Sequence, residues 1–353
     1  MSFLKVSNVK LVGLSVAVPK QVDETKDYEF FSPEEVQKYI DSVGVVRKHR
    51  ASKDQTSSDI CFAAAEKLIE DLKIDKSEID LLIFASHSGD YKIPSTSCIL
   101  QHRMGLSTSI MAFDINHGCS GFLYGMGILG NLMSTGNFRK GLLLAGNTQS
   151  KNVSYYDQST YLIFGDAGTA ALLEYAPDNA DTMEFNFFTD GSEFESVYIP
   201  DGGYRSPITP ESFNMEVFGD GIKRNRTHLL MNGTDVFSFA NSYIHLSVKS
   251  LMEKYNIDSE DVDYLVMHQA NKFLCEKIRK KVKFPVEKTP YSFENFGNTS
   301  SASIPLTMIL NLKEQLATRK LNLLLTAIGG GFSIASARLI TNGNVYCSDI
   351  IYI

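Results

Sequence analysis

Cys119, His268 and Asn298 are the residues of this chain whose types and settings suit joint action on an acyl group. Cys119 lies in Asp114-Ile-Asn-His-Gly-Cys-Ser-Gly-Phe-Leu-Tyr-Gly125, where an apolar, strand-like run from Ile110 to Ile115 passes into a helix of small residues. A thiol at a helix N-terminus feels the positive end of the dipole and unpaired N–H groups, which favour thiolate, the nucleophilic form. Gly118 and Gly121 would leave room there for a substrate carbonyl and for close helix packing. A free cysteine is equally a small buried hydrophobe, and local context leaves both readings open. His268, in Val266-Met-His-Gln-Ala-Asn271, ends a strand and precedes a helix, the edge at which open α/β sheets hold ligands. Asn298 lies in Asn295-Phe-Gly-Asn-Thr-Ser-Ser-Ala302, a small polar loop entering a helix near Ala302. Singly, the histidine reads as core and the asparagine as a helix cap; together with Cys119 they form a Cys-His-Asn set for thioester chemistry.

A duplication positions this set. Leu68-Ile-Glu-Asp-Leu-Lys-Ile-Asp75 through Ile83 aligns without a gap on Leu251-Met-Glu-Lys-Tyr-Asn-Ile-Asp258 through Val266. Each copy ends an amphipathic helix, predicted over Ser57–Leu72 and Val236–Tyr255, and continues into a short apolar strand. The halves then share a helix (Thr96–Met104 and Ala302–Leu316), an apolar strand (Gly141–Ala145 and Leu323–Ala327), and a Gly-rich turn with a small-residue strand. A long period used twice indicates duplication rather than a solenoid. Unalternating apolar strands between helices predict buried sheets covered by helices, so the expected class is α/β, two similar halves packed together. The expected division is 1–177 with the cysteine, an inserted connection over 178–227, and 228–353 with the histidine and asparagine. The connection, rich in Gly, Pro, Asp and aromatics, reads as a binding loop or a plain surface excursion.

Composition excludes other classes. With 43% hydrophobic and 21% charged residues the chain can bury a core and is not disordered. No apolar run approaches the ~20 residues of a membrane span. Five scattered cysteines without a C-x-x-C fit neither a disulfide framework nor a cysteine zinc site. Leu11 to Val18 reads as a buried strand rather than a leader, because no A-x-A site follows it, and a reduced, cytoplasmic protein is expected. A net charge of −7 argues against nucleic acid. Walker, H-E-x-x-H and Rossmann patterns are missing, and no metal is expected.

Six stretches carry a resemblance: Pro94-Ser-Thr-Ser-Cys98, Gly118-Cys-Ser-Gly-Phe-Leu-Tyr-Gly125, Phe164-Gly-Asp-Ala-Gly168, His268-Gln-Ala-Asn271, Asn295-Phe-Gly-Asn-Thr-Ser-Ser-Ala-Ser-Ile-Pro305 and Gly329-Gly-Gly-Phe332. In these, and in their order, the chain resembles the 3-oxoacyl-(acyl-carrier-protein) synthase III family of the thiolase superfamily, nearly end to end. The resemblance implies a duplicated five-layer αβαβα fold and a homodimer. It implies that Cys119 takes an acyl group from a thioester, with the backbone N–H groups of Cys119 and Gly330 holding the oxyanion. A malonyl group on acyl carrier protein would then lose CO2, His268 and Asn298 would stabilise the enolate, and a 3-oxoacyl thioester two carbons longer would form. Substrates would ride on coenzyme A or on the carrier's phosphopantetheine, with no metal or redox cofactor. Other expectations are a family relative acting as acyltransferase or ketosynthase in secondary-metabolite or surface-glycan synthesis, the acyltransferase form never decarboxylating malonyl groups, and a non-catalytic partner, which the retained Cys119, His268 and Asn298 disfavour.

The chain departs from the family where a Trp and an Arg sandwich the adenine of a coenzyme A primer: Lys38 and Gln158 stand there. A primer on a carrier protein, or an unusual acyl-CoA, is expected. Phe273 replaces an Arg that meets the carrier, while Lys272, Lys280 and Lys281 belong to a basic run predicted to dock it. Ile93 replaces a Phe that walls the acyl pocket from the partner subunit, which predicts a longer or branched acyl group.

Overall fold

The computed structural model describes residues 1–219 and 221–353. Two mixed sheets form the frame. The first runs Tyr346–Tyr352, Val9–Val18, Ala167–Tyr175, Lys140–Asn147, Ile79–Ala85, Met111–Ile115 from edge to edge; the second runs Ser2–Val6, Thr182–Thr189, Ser333–Thr341, Leu321–Gly329, Tyr264–Met267. The duplication is written in their registers. Ile79–Ala85 pairs parallel with Lys140–Asn147, which pairs antiparallel with Ala167–Tyr175. Tyr264–Met267, Leu321–Gly329 and Ser333–Thr341 repeat that order and those directions.

Helices Gly121–Met133 and Ser303–Thr318 lie between the sheets, in one core that also takes residues from both sheets, such as Leu143 and Leu325. Ser57–Leu72 packs a second core on the outer face of the first sheet, and Gly233–Tyr255 with Lys272–Lys281 packs a third on the second sheet. This is the expected five-layer αβαβα order. Lys140–Asn147 and Leu321–Gly329 are covered on both faces, which explains the unalternating apolar runs Gly141–Ala145 and Leu323–Leu325 within them.

Ser57–Leu72 starts where predicted because Thr56 and Asp59 form a capping box. The pairing of later helices is corrected. The counterpart of Thr96–Arg103 is Lys272–Lys281, each following the strand of the aligned repeat, and the counterpart of Ser303–Thr318 is Gly121–Met133, each in the central layer. The stretch 178–227 is also not all connection. Thr182–Thr189 is a strand between Ser2–Val6 and Ser333–Thr341, burying Met183 to Asn186. Its flanking Gly and Pro hid it in the sequence, and position 220 lies outside the described residues. The terminal strands exchange sheets: Ser2–Val6 pairs in the second, Tyr346–Tyr352 in the first.

Candidate active site

The two halves meet at a pocket of about 210 Å³ whose walls include Cys119, His268, Asn298 and Gly330. Cys119 precedes the central helix Gly121–Met133 by two residues, with Ser120 at its N-cap. His268 follows the strand Tyr264–Met267, its backbone N–H donating to Thr326 O at 2.8 Å. Asn298 is clamped across the halves: its N–H donates to Ile163 O at 2.8 Å, and its carbonyl accepts the Gly165 N–H at 3.1 Å. That crossing needs glycine on both sides. A Cβ on Gly165 would stand 2.1 Å from Phe296 O, and one on Gly297, whose φ is +64°, would stand 2.5 Å from Ile163 O.

Side-chain orientation follows from hydrogen bonding. The Asn298 Oδ1 accepts the Ser300 N–H at 2.9 Å, so the amide nitrogen is left to donate elsewhere. His268 Nδ1 lies 2.8 Å from Ser303 Oγ, and that hydroxyl lies 2.8 Å from Ser300 O as its donor. Ser303 has one proton. While it goes to Ser300 O, His268 Nδ1 carries a proton and Nε2 is an acceptor; in the other tautomer, reached by proton exchange, Ser303 donates to Nδ1 and Nε2 is the donor. Burial lowers the imidazole to about 4, so it is neutral at pH 7.

The helix terminus does not by itself leave Cys119 as thiolate. Desolvation pushes the Cys119 thiol up to about 11, against smaller lowering contributions from Ser300 and from its own backbone N–H. The helix terminus is present as expected, but among the described residues no cation contributes beside it, and burial wins. The room ascribed to Gly118 is also taken. A Cβ there would stand 2.8 Å from His87 Nδ1, whereas one on Gly121 would meet only ordinary contacts beyond 3.4 Å. The Gly329-Gly330 turn rests on the nucleophile loop through Ser120 Oγ and Ser333 Oγ, 2.7 Å apart.

Models of the 3-oxoacyl-[acyl-carrier-protein] synthase III family match residues 113–191 and, for the C-terminal part, 252–340. Beta-ketoacyl-[acyl-carrier-protein] synthase III of Methylococcus capsulatus is 32% identical over 330 residues, covering 94% of this chain and 98% of that protein. The chain belongs to the 3-oxoacyl-[acyl-carrier-protein] synthase III family. The synthase III of Fusobacterium nucleatum is 30% identical over 93% of this chain and 97% of its own. The crystal structure of a 3-oxoacyl-(acyl-carrier protein) synthase from Burkholderia xenovorans superposes with a TM-score of 0.92 at 31% identity, covering 100% of this chain and 99% of that one.

Within this synthase III fold the remaining predicted residues lie apart. Ile93 is 77% exposed and outside the pocket of its own chain. Lys272, Lys280 and Lys281 lie on the helix that follows His268, but Lys281 Nζ donates to Asn241 O at 2.5 Å and Arg279 is held by Glu276 at 2.7 and 2.9 Å. Among the described residues Lys277 and Lys280 make no ion pair. Phe273 joins Phe237 at the pocket rim. The sequence reading missed Ser300, Ser303, Phe237 and His87; Ser300 and Ser303 stand inside a quoted motif, and nothing in their spacing separates them from helix caps.

Proposed function

We propose that this chain builds a 3-oxoacyl thioester by decarboxylative Claisen condensation, with Cys119 as nucleophile and His268 and Asn298 as the enolate site. The observation that carries the reading is that these three side chains, from distant parts of two duplicated halves, line one pocket. The Cys119 sulfur attacks a thioester carbonyl, its proton passes through neutral His268 to the departing thiol, and the backbone N–H groups of Cys119 and Gly330 hold the oxyanion. Malonyl on acyl carrier protein then loses CO2. The electron pair left behind becomes an enolate, whose oxygen accepts hydrogen bonds from the Asn298 amide and from His268 Nε2. Between the two half-reactions the ring has lost its Nδ1 proton and gained one at Nε2 by exchange with solvent, and Ser303 then donates to Nδ1. The enolate carbon attacks the acyl carbon, and Cys119 leaves as thiolate and regains a proton from solvent.

Lys272, Lys277 and Lys280 beside the rim favour an acidic carrier as the donor, with Lys281 contributing less. Lys38 and Gln158, where the family sandwiches adenine, favour a primer that does not rely on base stacking. A homodimer, in which exposed Ile93 meets the other subunit, and a cytoplasmic setting complete the proposal. The test is the mass gained by Cys119 from a panel of acyl-CoA and acyl-carrier thioesters, followed by malonyl-dependent release of CO2. Acylation of Cys119 without CO2 release would replace condensation by plain acyl transfer; labelling elsewhere would remove Cys119 from its role.

A further inference from the structure

Ser300 touches the Cys119 and Asn298 side chains and reaches His268 through Ser303, while standing outside the pocket wall. It is 4% exposed, and its φ of +53° is left-handed, a conformation that residues other than Gly, Asn and Asp rarely adopt. Its hydroxyl lies 3.5 Å from the Cys119 sulfur, within hydrogen-bond reach of a sulfur atom, and has no other partner among the described residues. Its N–H holds the Asn298 Oδ1 at 2.9 Å. Its carbonyl accepts the Ser303 hydroxyl that adjoins His268 Nδ1. A left-handed turn lets one residue present hydroxyl, N–H and carbonyl in three directions, which a helical or extended backbone at that position would not do.

We propose that Ser300 is the positioning residue that couples the three: its hydroxyl donates to the Cys119 sulfur while its backbone aims Asn298 and His268. The hydroxyl is the one side-chain donor found at that sulfur among the described residues. The titratable groups around the nucleophile loop are His268 from the second sheet, His87 from the loop after Ile79–Ala85, and His117 on the loop itself. All three are held below the ordinary imidazole range, chiefly by desolvation. They are neutral throughout the range in which the thiol ionises, so none supplies the charge that would make the hydroxyl redundant. When Cys119 is acylated the sulfur loses its anionic character and the bond weakens, while the backbone contacts persist for the condensation.

The inference rests on Cys119 being the reactive thiol, and its test uses no acyl substrate, so a failure to condense leaves it standing. Iodoacetamide alkylation of Cys119 is followed at pH 8.5 by peptide mass, with exposed Cys98 of the same molecule as the internal reference. Losing a hydrogen bond to a thiolate raises the thiol by about one to two pH units, and the greater nucleophilicity of the more basic thiolate offsets part of this. Ser300→Ala and Ser300→Gly should both slow Cys119 relative to Cys98 by roughly three- to fifteen-fold. The two differ in backbone effect, since glycine relieves the left-handed φ and alanine does not. Equal slowing in both therefore assigns the effect to the hydroxyl. An unchanged Cys119 to Cys98 ratio in the glycine variant overturns the proposal, whatever the alanine variant does.

Discussion

The rings of Phe237 and Phe273 meet at the pocket rim with centroids 5.2 Å apart and planes at 35°. Phe273 is half exposed, and Lys277 Nζ stands 5.6 Å from its ring centre. An aromatic rim thus occupies the place of the arginine that the family resemblance led one to expect. Phe273→Ala should raise KM for thioester substrates several-fold and leave kcat within about twofold, because the ring touches the approach and not the reacting atoms. Steady-state kinetics with carrier-borne and short pantetheine thioesters check this; an equal loss in kcat and kcat/KM would place Phe273 in the chemistry.

The high thiol pKa of Cys119 makes acylation depend on proton removal. With the thiol at about 11, roughly one molecule in ten thousand carries thiolate at pH 7. If His268 takes the proton as the bond forms, the acylation rate of the native protein should rise much less than tenfold per pH unit between 7 and 9. His268→Ala should be slower at pH 7 by about 10²- to 10⁴-fold and should show the steeper slope. Single-turnover acylation by quench and mass spectrometry reads both. Parallel slopes in the two proteins would show that His268 is not the base for this step.

Charge reversal on the basic helix should grade with side-chain freedom. Lys280 is exposed and makes no ion pair among the described residues, whereas Lys281 is tied to Asn241 O. Lys280→Glu should raise KM for carrier substrates more than Lys281→Glu, and neither should change KM for a small pantetheine thioester. The difference should shrink at high salt, as expected of exposed charges. Equal effects on carrier and small substrates would remove the docking role.

Neutral His268 also ties stability to acid. Its folded pKa of about 4 lies below the unfolded value of 6.5, so below pH 6.5 the unfolded chain takes up a proton that the folded chain refuses. The stabilising contribution is complete above pH 6.5 and is lost as pH falls toward 4. Between pH 6.5 and 5 this one group should cost about 2 kcal/mol. Urea unfolding of the native protein and of His268→Gln across this range measures it, and the glutamine variant should have the shallower dependence.

Cys119 and His268 stand out in the sequence because each lies between a strand and a helix, and Asn298 because it lies in a polar loop before one, where periodicity breaks. The start of Ser57–Leu72 was legible for the same local reason, a cap and its partner three residues on. What stayed hidden depends on distance in the chain. Ser300 meets Cys119 across 181 positions, and its left-handed backbone leaves no mark on composition. The thiol's state stayed open in the sequence because a helix terminus is visible there while the desolvation that outweighs it is a property of the assembled fold. The helices of the repeat were mispaired because helix length carries no record of the layer a helix occupies, which here is set by the order of the strands.

Gly118 offers a last test of how tightly the nucleophile loop is built. Its missing side chain is required by His87, whose ring would lie 2.8 Å from an added Cβ at Nδ1 and 2.9 Å at Cε1. Gly118→Ala should therefore destabilise the fold by about 1–3 kcal/mol and slow acylation, because overpacking at the loop displaces the neighbouring sulfur. Removing the obstacle should undo the damage: Gly118→Ala combined with His87→Ala should recover most of the stability lost in the single variant. A double-mutant cycle by urea unfolding isolates the coupling, which should be at least about 1 kcal/mol and favourable in the double variant. Additive losses would show that the loop needs Gly118 for its backbone and not for the room that His87 fills.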